Sequence, residues 1–181
     1  MPGFLRIASI LALAGGCVAA SFAPASAADT KAATLLGVSK NWSAYQATTG
    51  DGKVCYALSK PKTVAPKKAV RDPIYLLISD WPDRKVHGEL EVVPGYPYKD
   101  GEPAIAEVGS QKTEFFTRND GTSGSAWVRD PGDEARLLDA MRQGSTMTVS
   151  GVSPRGTHTK DTYSLGGIAA MLDKVHDACA K

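Results

Sequence analysis

Reactive side chains are scarce in this sequence. Its 181 residues include three cysteines and three histidines, and the formal net charge is only +2. So small a charge excludes a dedicated nucleic-acid binder, which neutralises phosphates with a dense basic surface. There is no phosphate loop, no dinucleotide glycine fingerprint, no Gly-x-Ser-x-Gly elbow and no His-Glu-x-x-His. His87, His158 and His176 are far apart, with no cysteine or carboxylate spacing that would complete a metal site. No cofactor is expected. Beyond the N-terminus no apolar run is long enough to cross a bilayer.

The N-terminal segment is organised as an address. Arg6 lies in a short region without acidic residues, an apolar stretch runs from Ile7 to Ala20, and Ala25-Ser26-Ala27 supplies small residues for cleavage. This is the pattern of a secretory signal at residues 1–27. Ala14-Gly15-Gly16 before Cys17 lacks the leading Leu of a lipoprotein signal, so Cys17 is expected to leave with the signal. Residues 28–40 are small and polar and read as a flexible leader. Residues 41–181 suffice for a single domain. The mature protein is expected to be soluble outside the cytoplasm.

Cleavage leaves Cys55 and Cys179. An even pair in an oxidising compartment implies a disulfide, here closing a loop of about 124 residues. The alternative is a catalytic thiol, because His176 precedes Cys179 by about one helical turn.

Eighteen glycines and eleven prolines favour turns and short strands. Trp42-Ser43-Ala44-Tyr45 and Lys53–Leu58 read as strands joined by Thr49-Gly50-Asp51-Gly52, a hairpin signal. Residues 60–73 combine three prolines with Lys60, Lys62, Lys67, Lys68 and Arg71, a basic loop that is either solvated or a contact for an acidic partner. Ile74–Ile78 reads as a central strand. Val86–Val93 alternates, with Gly88, Leu90 and Val92 inward. Further short strands fall at 105–108, 114–118 and 126–128.

Asp130-Pro131 opens a helix that Gly144 ends, where a left-handed residue is expected. Strands at 146–151 and 157–165 then form a hairpin, with Ser164 expected at the start of the last helix. There Ile168, Met171, Leu172, Val175 and Cys179 share one face. The fold expected is mainly β, an antiparallel β-sandwich with two packed α-helices, one of them C-terminal.

The hairpin puts Thr157, Thr159, Asp161 and Tyr163 on one face and His158 with Ser164 on the other, about 20 Å apart along the strand. They form no direct relay. Asp161 is expected to pair with Arg155 or cap a turn. Tyr96, Tyr98, Trp81 and Trp127 lie near turns, either as contact anchors or as plugs of the sandwich ends.

These residues together resemble the invasion-associated locus B family of exported bacterial proteins. The resemblance rests on Trp42-Ser43-Ala44-Tyr45, Val54-Cys55-Tyr56-Ala57-Leu58 with Pro61, Arg71-Asp72-Pro73, Gly95-Tyr96-Pro97 and Ala126-Trp127. The most specific part is Arg155-Gly156-Thr157 followed by Asp161-Thr162-Tyr163-Ser164-Leu165-x-Gly167. It implies a one-domain, immunoglobulin-like antiparallel β-sandwich exported to the periplasm or outer envelope of a Gram-negative bacterium, a link to host-cell entry, and no catalytic residue to carry over. The function expected is non-enzymatic binding of an envelope or host-surface component, with Tyr96, Tyr98, Lys67, Lys68 and Arg71 as candidate contacts. The alternative is a periplasmic hydrolase or thiol enzyme using the 155–165 hairpin or Cys179 with His176.

Overall fold

The computed structural model describes residues 32–180. The expected signal at 1–27, Cys17 and the first residues of the leader lie outside the described residues. Eleven strands form one antiparallel sheet: β1 (Thr34–Ser39), β2 (Trp42–Thr49), β3 (Gly52–Ser59), β4 (Thr63–Ala65), β5 (Tyr75–Trp81), β6 (Val86–Val93), β7 (Ala104–Val108), β8 (Gln111–Asp120), β9 (Ser123–Val128), β10 (Thr146–Val152) and β11 (His158–Ser164). Their spatial order is β1-β2-β3-β5-β6-β9-β8-β7-β10-β11-β4. The join between β6 and β9 is narrow, with only Glu91 opposite Trp127 and Val92 opposite Ala126.

The sheet folds back on itself about that join. Inward residues from both halves, including Trp42, Ala57, Ile78 and Leu90 from one and Phe115, Met147, Val149 and Tyr163 from the other, form a single buried core. Trp42 Nε1 donates to the Ser164 carbonyl at 2.9 Å, linking β2 to β11 although seven strands separate them in the sheet order. The antiparallel sandwich is thus built from two continuous layers. Strand alternation produces it: Ala44, Ala57, Ile78 and Leu90 pair across consecutive strands on the inner face.

Two helices contribute to the same core. In α1 (Pro131–Gln143) the Asp130 side chain accepts from the amides of Gly132 and Asp133, while Pro131 occupies the first turn. Leu137 and Met141 are its buried residues. In α2 (Ile168–Cys179) Ile168, Met171, Leu172, Val175 and Cys179 are buried, as their spacing predicts. Lys53 Nζ donates to the Ala178 carbonyl at 2.7 Å and satisfies an acceptor at the end of α2.

Three local expectations are corrected. Residues 34–39 are strand β1 rather than loose leader; its register shifts between Leu35 and Gly37, and that irregularity hides the alternation. Gly144 is extended, with φ −81° and ψ 170°, rather than left-handed. A side chain there would meet Val108 Cγ1 at 2.7 Å, so close packing is what glycine serves. Ser164 ends β11, and α2 starts only after Gly167, whose φ is +99° and whose absent Cβ would lie 2.1 Å from the Ser39 carbonyl oxygen. No helix among the described residues is long and apolar enough to cross a membrane.

Cys55 and Cys179 are bonded, with Cα atoms 5.9 Å apart and 124 residues between them in sequence. The bridge ties α2 to β3. Reduction of the folded protein, or Cys55→Ala with Cys179→Ala, is expected to lower unfolding free energy by about 4 to 5 kcal/mol in the chain-entropy account. Urea unfolding with and without a reductant measures this; a change under about 1 kcal/mol would show that the bridge contributes little restraint.

Candidate functional site

The thiol reading fails at its first requirement, because both sulfurs lie in the bridge. His176 turns instead to Asp80, with Nδ1 2.5 Å from Asp80 Oδ2. Asp80 is 1% exposed and its other oxygen accepts from the Gly88 amide at 2.8 Å. This carboxylate pins α2 to the β5–β6 hairpin. The hairpin hydrolase reading also lacks its geometry. His158 pairs with Val152 and Ser164 with Thr146, at opposite ends of the β10–β11 ladder. Among the described residues no group of three or more His, Cys, Asp and Glu side chains is placed to hold a metal.

The structure instead assembles the motif residues around a buried ion pair. Arg71 Nη1 donates to Asp161 Oδ1 at 2.7 Å and Nη2 to Oδ2 at 2.6 Å. Arg71 Nε and Nη2 also donate to the Pro94 carbonyl, at 2.8 and 2.5 Å. The two side chains are 5% and 3% exposed. Burial opposes the Arg71 charge, but the hydrogen bonds and the charge of Asp161 outweigh it and hold the guanidinium above its ordinary pKa. The bidentate fork is the geometry that favours Arg over Lys here.

Two expectations are overturned by this arrangement. Arg71 is an internal clamp and not a surface contact, and Asp161 pairs with Arg71 rather than Arg155. The partner lies 90 residues away, so no local spacing reveals it.

Aromatic rings pack around the pair. The Arg71 guanidinium lies 5.0 Å from the Tyr96 ring centroid, and Tyr96 and Tyr98 meet edge to face at 5.4 Å. The Tyr96 hydroxyl and Thr159 Oγ1 are 2.6 Å apart. Tyr98 is 1% exposed, so it is core and not a contact anchor. Burial raises the Tyr98 and Tyr163 pKa values well above the phenol range. Their hydroxyls have no hydrogen-bond partner among the described residues.

The clamp shapes a cleft of about 510 Å³ between the basic loop and the β10–β11 turn. Asp72 N donates to the Gly95 carbonyl at 2.9 Å and Lys62 N to the Thr162 carbonyl at 2.7 Å, docking both ends of the loop. Gly95 has φ +74°, and a side chain there would meet the Asp72 carbonyl oxygen at 2.2 Å. Val70, Tyr96, Pro154, Arg155 and Thr157 line the cleft, and no carboxylate does. Val70 is fully exposed and Arg155, Lys67 and Lys68 are exposed. The cleft therefore offers an apolar tip and a cation, with more cations on the adjoining loop.

A second concavity, unforeseen as a unit, lies on the outer face of β6, β9 and β8 around Phe116 and Trp127. Strand alternation carries its signal, since Phe115 and Ala126 are buried and their neighbours Phe116 and Trp127 must point outward.

Removing one partner of the buried pair strands the other charge. Arg71→Ala and Asp161→Ala are each expected to cost about 3 to 5 kcal/mol in urea unfolding, and the double variant less than their sum. Strict additivity would show that the pair is not coupled. Tyr163→Phe removes a buried hydroxyl that has no partner, so its midpoint should stay unchanged or rise, by up to about 1 kcal/mol. A clear fall would reveal a hydrogen bond to that hydroxyl.

Comparison with known proteins fits this architecture. A solved structure described as the crystal structure of invasion associated protein B from Bartonella henselae superposes with a TM-score of 0.55 at 14% identity, covering 80% of this chain and 98% of the other. At that identity the likeness is one of fold. No curated protein sequence matches the chain. The model of the invasion associated locus B (IalB) protein family matches residues 42–176, from the tryptophan that bonds to β11 to the histidine on Asp80. The chain belongs to the invasion associated locus B (IalB) family.

Proposed function

We propose that this protein is a non-enzymatic, exported cell-envelope protein that binds an acidic envelope or host-surface component through the cleft at Val70 and Arg155. The observation that carries the reading is the cleft's composition. Val70 is held fully exposed beside Arg155, and no carboxylate lines the cavity. An exposed apolar side chain rimmed by cations suits a partner with an apolar anchor and acidic groups. The clamp beneath removes the entropy cost of ordering the loop when the partner arrives.

Export is supported by the three-part pattern at residues 1–27 and by a bridge that requires an oxidising compartment. Periplasm or outer envelope is the location that fits both. A role in host-cell invasion is the process that the printed names of the family and of the Bartonella henselae protein point to. Arg155, Gly156, Thr157, Asp161, Thr162, Tyr163, Ser164 and Leu165 act in this reading as the frame of the cleft rather than as reagents.

A photo-crosslinker placed at Val70 in intact cells tests the proposal. It should capture a discrete envelope or host-surface component. Capture should weaken about tenfold in a Lys67→Glu, Lys68→Glu, Arg155→Glu variant and fall as salt is raised. Capture that is indifferent to charge reversal and salt would defeat the proposal.

A further inference from the structure

The outer face of β6, β9 and β8 carries a row of side chains in register. Glu91 lies opposite Trp127, and Trp127 opposite Phe116. Their strand neighbours Leu90, Val92, Ala126 and Phe115 fill the core, so this row is the outward face of the same strands. The Phe116 and Trp127 ring centroids are 5.7 Å apart with planes tilted by 31°. Together with Trp81 they line a groove of about 590 Å³ that shares no residue with the cleft at Val70.

The polar groups of the groove are already oriented. Trp81 Nε1 donates to Glu89 Oε2 at 3.1 Å, and the Arg84 guanidinium lies 5.3 Å from the Trp81 centroid. Arg129 lies 4.7 Å from the Phe116 centroid. A guanidinium held against a ring loses less freedom when it donates to a ligand. Trp127 is half-buried, with Phe116 against its ring, and the part of it left exposed lines the groove, where a ligand can stack.

The charge count narrows the ligand. Four carboxylates and three guanidiniums line the groove, close to balance. An excess of one carboxylate repels a polyanion and offers a polycation little net attraction. An apolar peptide would strip water from these charged groups and offer them no hydrogen bonds in return. A neutral sugar avoids each of these costs. Its hydroxyls donate to carboxylates and accept from guanidiniums at the same time, and its C–H face lies against the negative face of an aromatic ring.

We propose that this groove binds a neutral oligosaccharide, with a sugar ring stacked on Trp127 and its hydroxyls bridging Glu91, Glu89 and Arg129. The site is distinct from the cleft and its occupation does not depend on it. Binding here uses the outer face of the sandwich, because the interior is filled by the protein's own side chains.

The tryptophans provide the test. Of the three in the chain, Trp42 is fully buried in the core, while Trp81 and Trp127 line the groove. Cellotetraose, maltotetraose and chitotetraose are titrated into the disulfide-bonded protein, with tryptophan emission and calorimetry as readouts. At least one should give a saturable emission change and heat below ~10 mM. By calorimetry Trp127→Ala and the isosteric Glu91→Gln should each weaken that binding about tenfold, while Arg155→Glu in the other cleft leaves it unchanged. The proposal is overturned if no tetrasaccharide saturates in that range, if both groove variants bind as the parent does, or if a heparin tetrasaccharide binds more tightly than any neutral one.

Discussion

A charged pair buried to a few per cent exposure costs several kcal/mol of desolvation for each ion, and it persists only where geometry and extra hydrogen bonds offset that cost. Arg71 and Asp161 meet the requirement with a bidentate fork, two donations to the Pro94 carbonyl and a ring beneath the guanidinium. The consequence is topological. Three segments far apart in the chain converge here: Arg71-Asp72-Pro73 from the basic loop, Gly95-Tyr96-Pro97 from the turn after β6, and Asp161 from β11. Short motifs that look like separate signatures in the sequence are parts of one joint.

A second set of restraints closes the other end of the sandwich. Trp42 reaches the backbone of Ser164, Gly167 lets α2 start against β1, and the bridge from Cys55 to Cys179 fixes the end of that helix. Asp80 adds a buried polar link through His176. The joint and the bridge leave loops and outer strand faces as the places where a partner can be met. Cys55, Cys179, Asp80, His176, Arg71 and Asp161 are engaged in holding the fold together.

Periodicity made much of the architecture legible. Alternation placed Leu90 and Val92 inward and put Asp161 and Tyr163 on one face, helical spacing placed Met171, Leu172 and Val175, and Asp130-Pro131 marked a helix start through capping chemistry. Counting cysteines was enough for the bridge. What stayed hidden depends on tertiary partners. Alternation tells which side of a strand Asp161 occupies but not that Arg71 faces it. A lysine- and proline-rich loop reads as solvated at every position, so a single clamping arginine within it has no local mark. Tyr98 beside a turn looks accessible until β10 packs over it: a side chain at Gly151 would meet its ring at 2.7 Å. The groove around Trp127 required knowing that β6, β9 and β8 are neighbours.

The Arg71–Asp161 clamp organises the cleft by suppressing local opening more than by adding global stability. Amide hydrogen exchange in the parent and in Arg71→Met tests this directly. Asp72 and Lys62, whose amides bond to Gly95 and Thr162, should lose protection in the variant while the central strands β3 and β5 keep theirs. Equal protection of the loop in both proteins would contradict that role of the clamp.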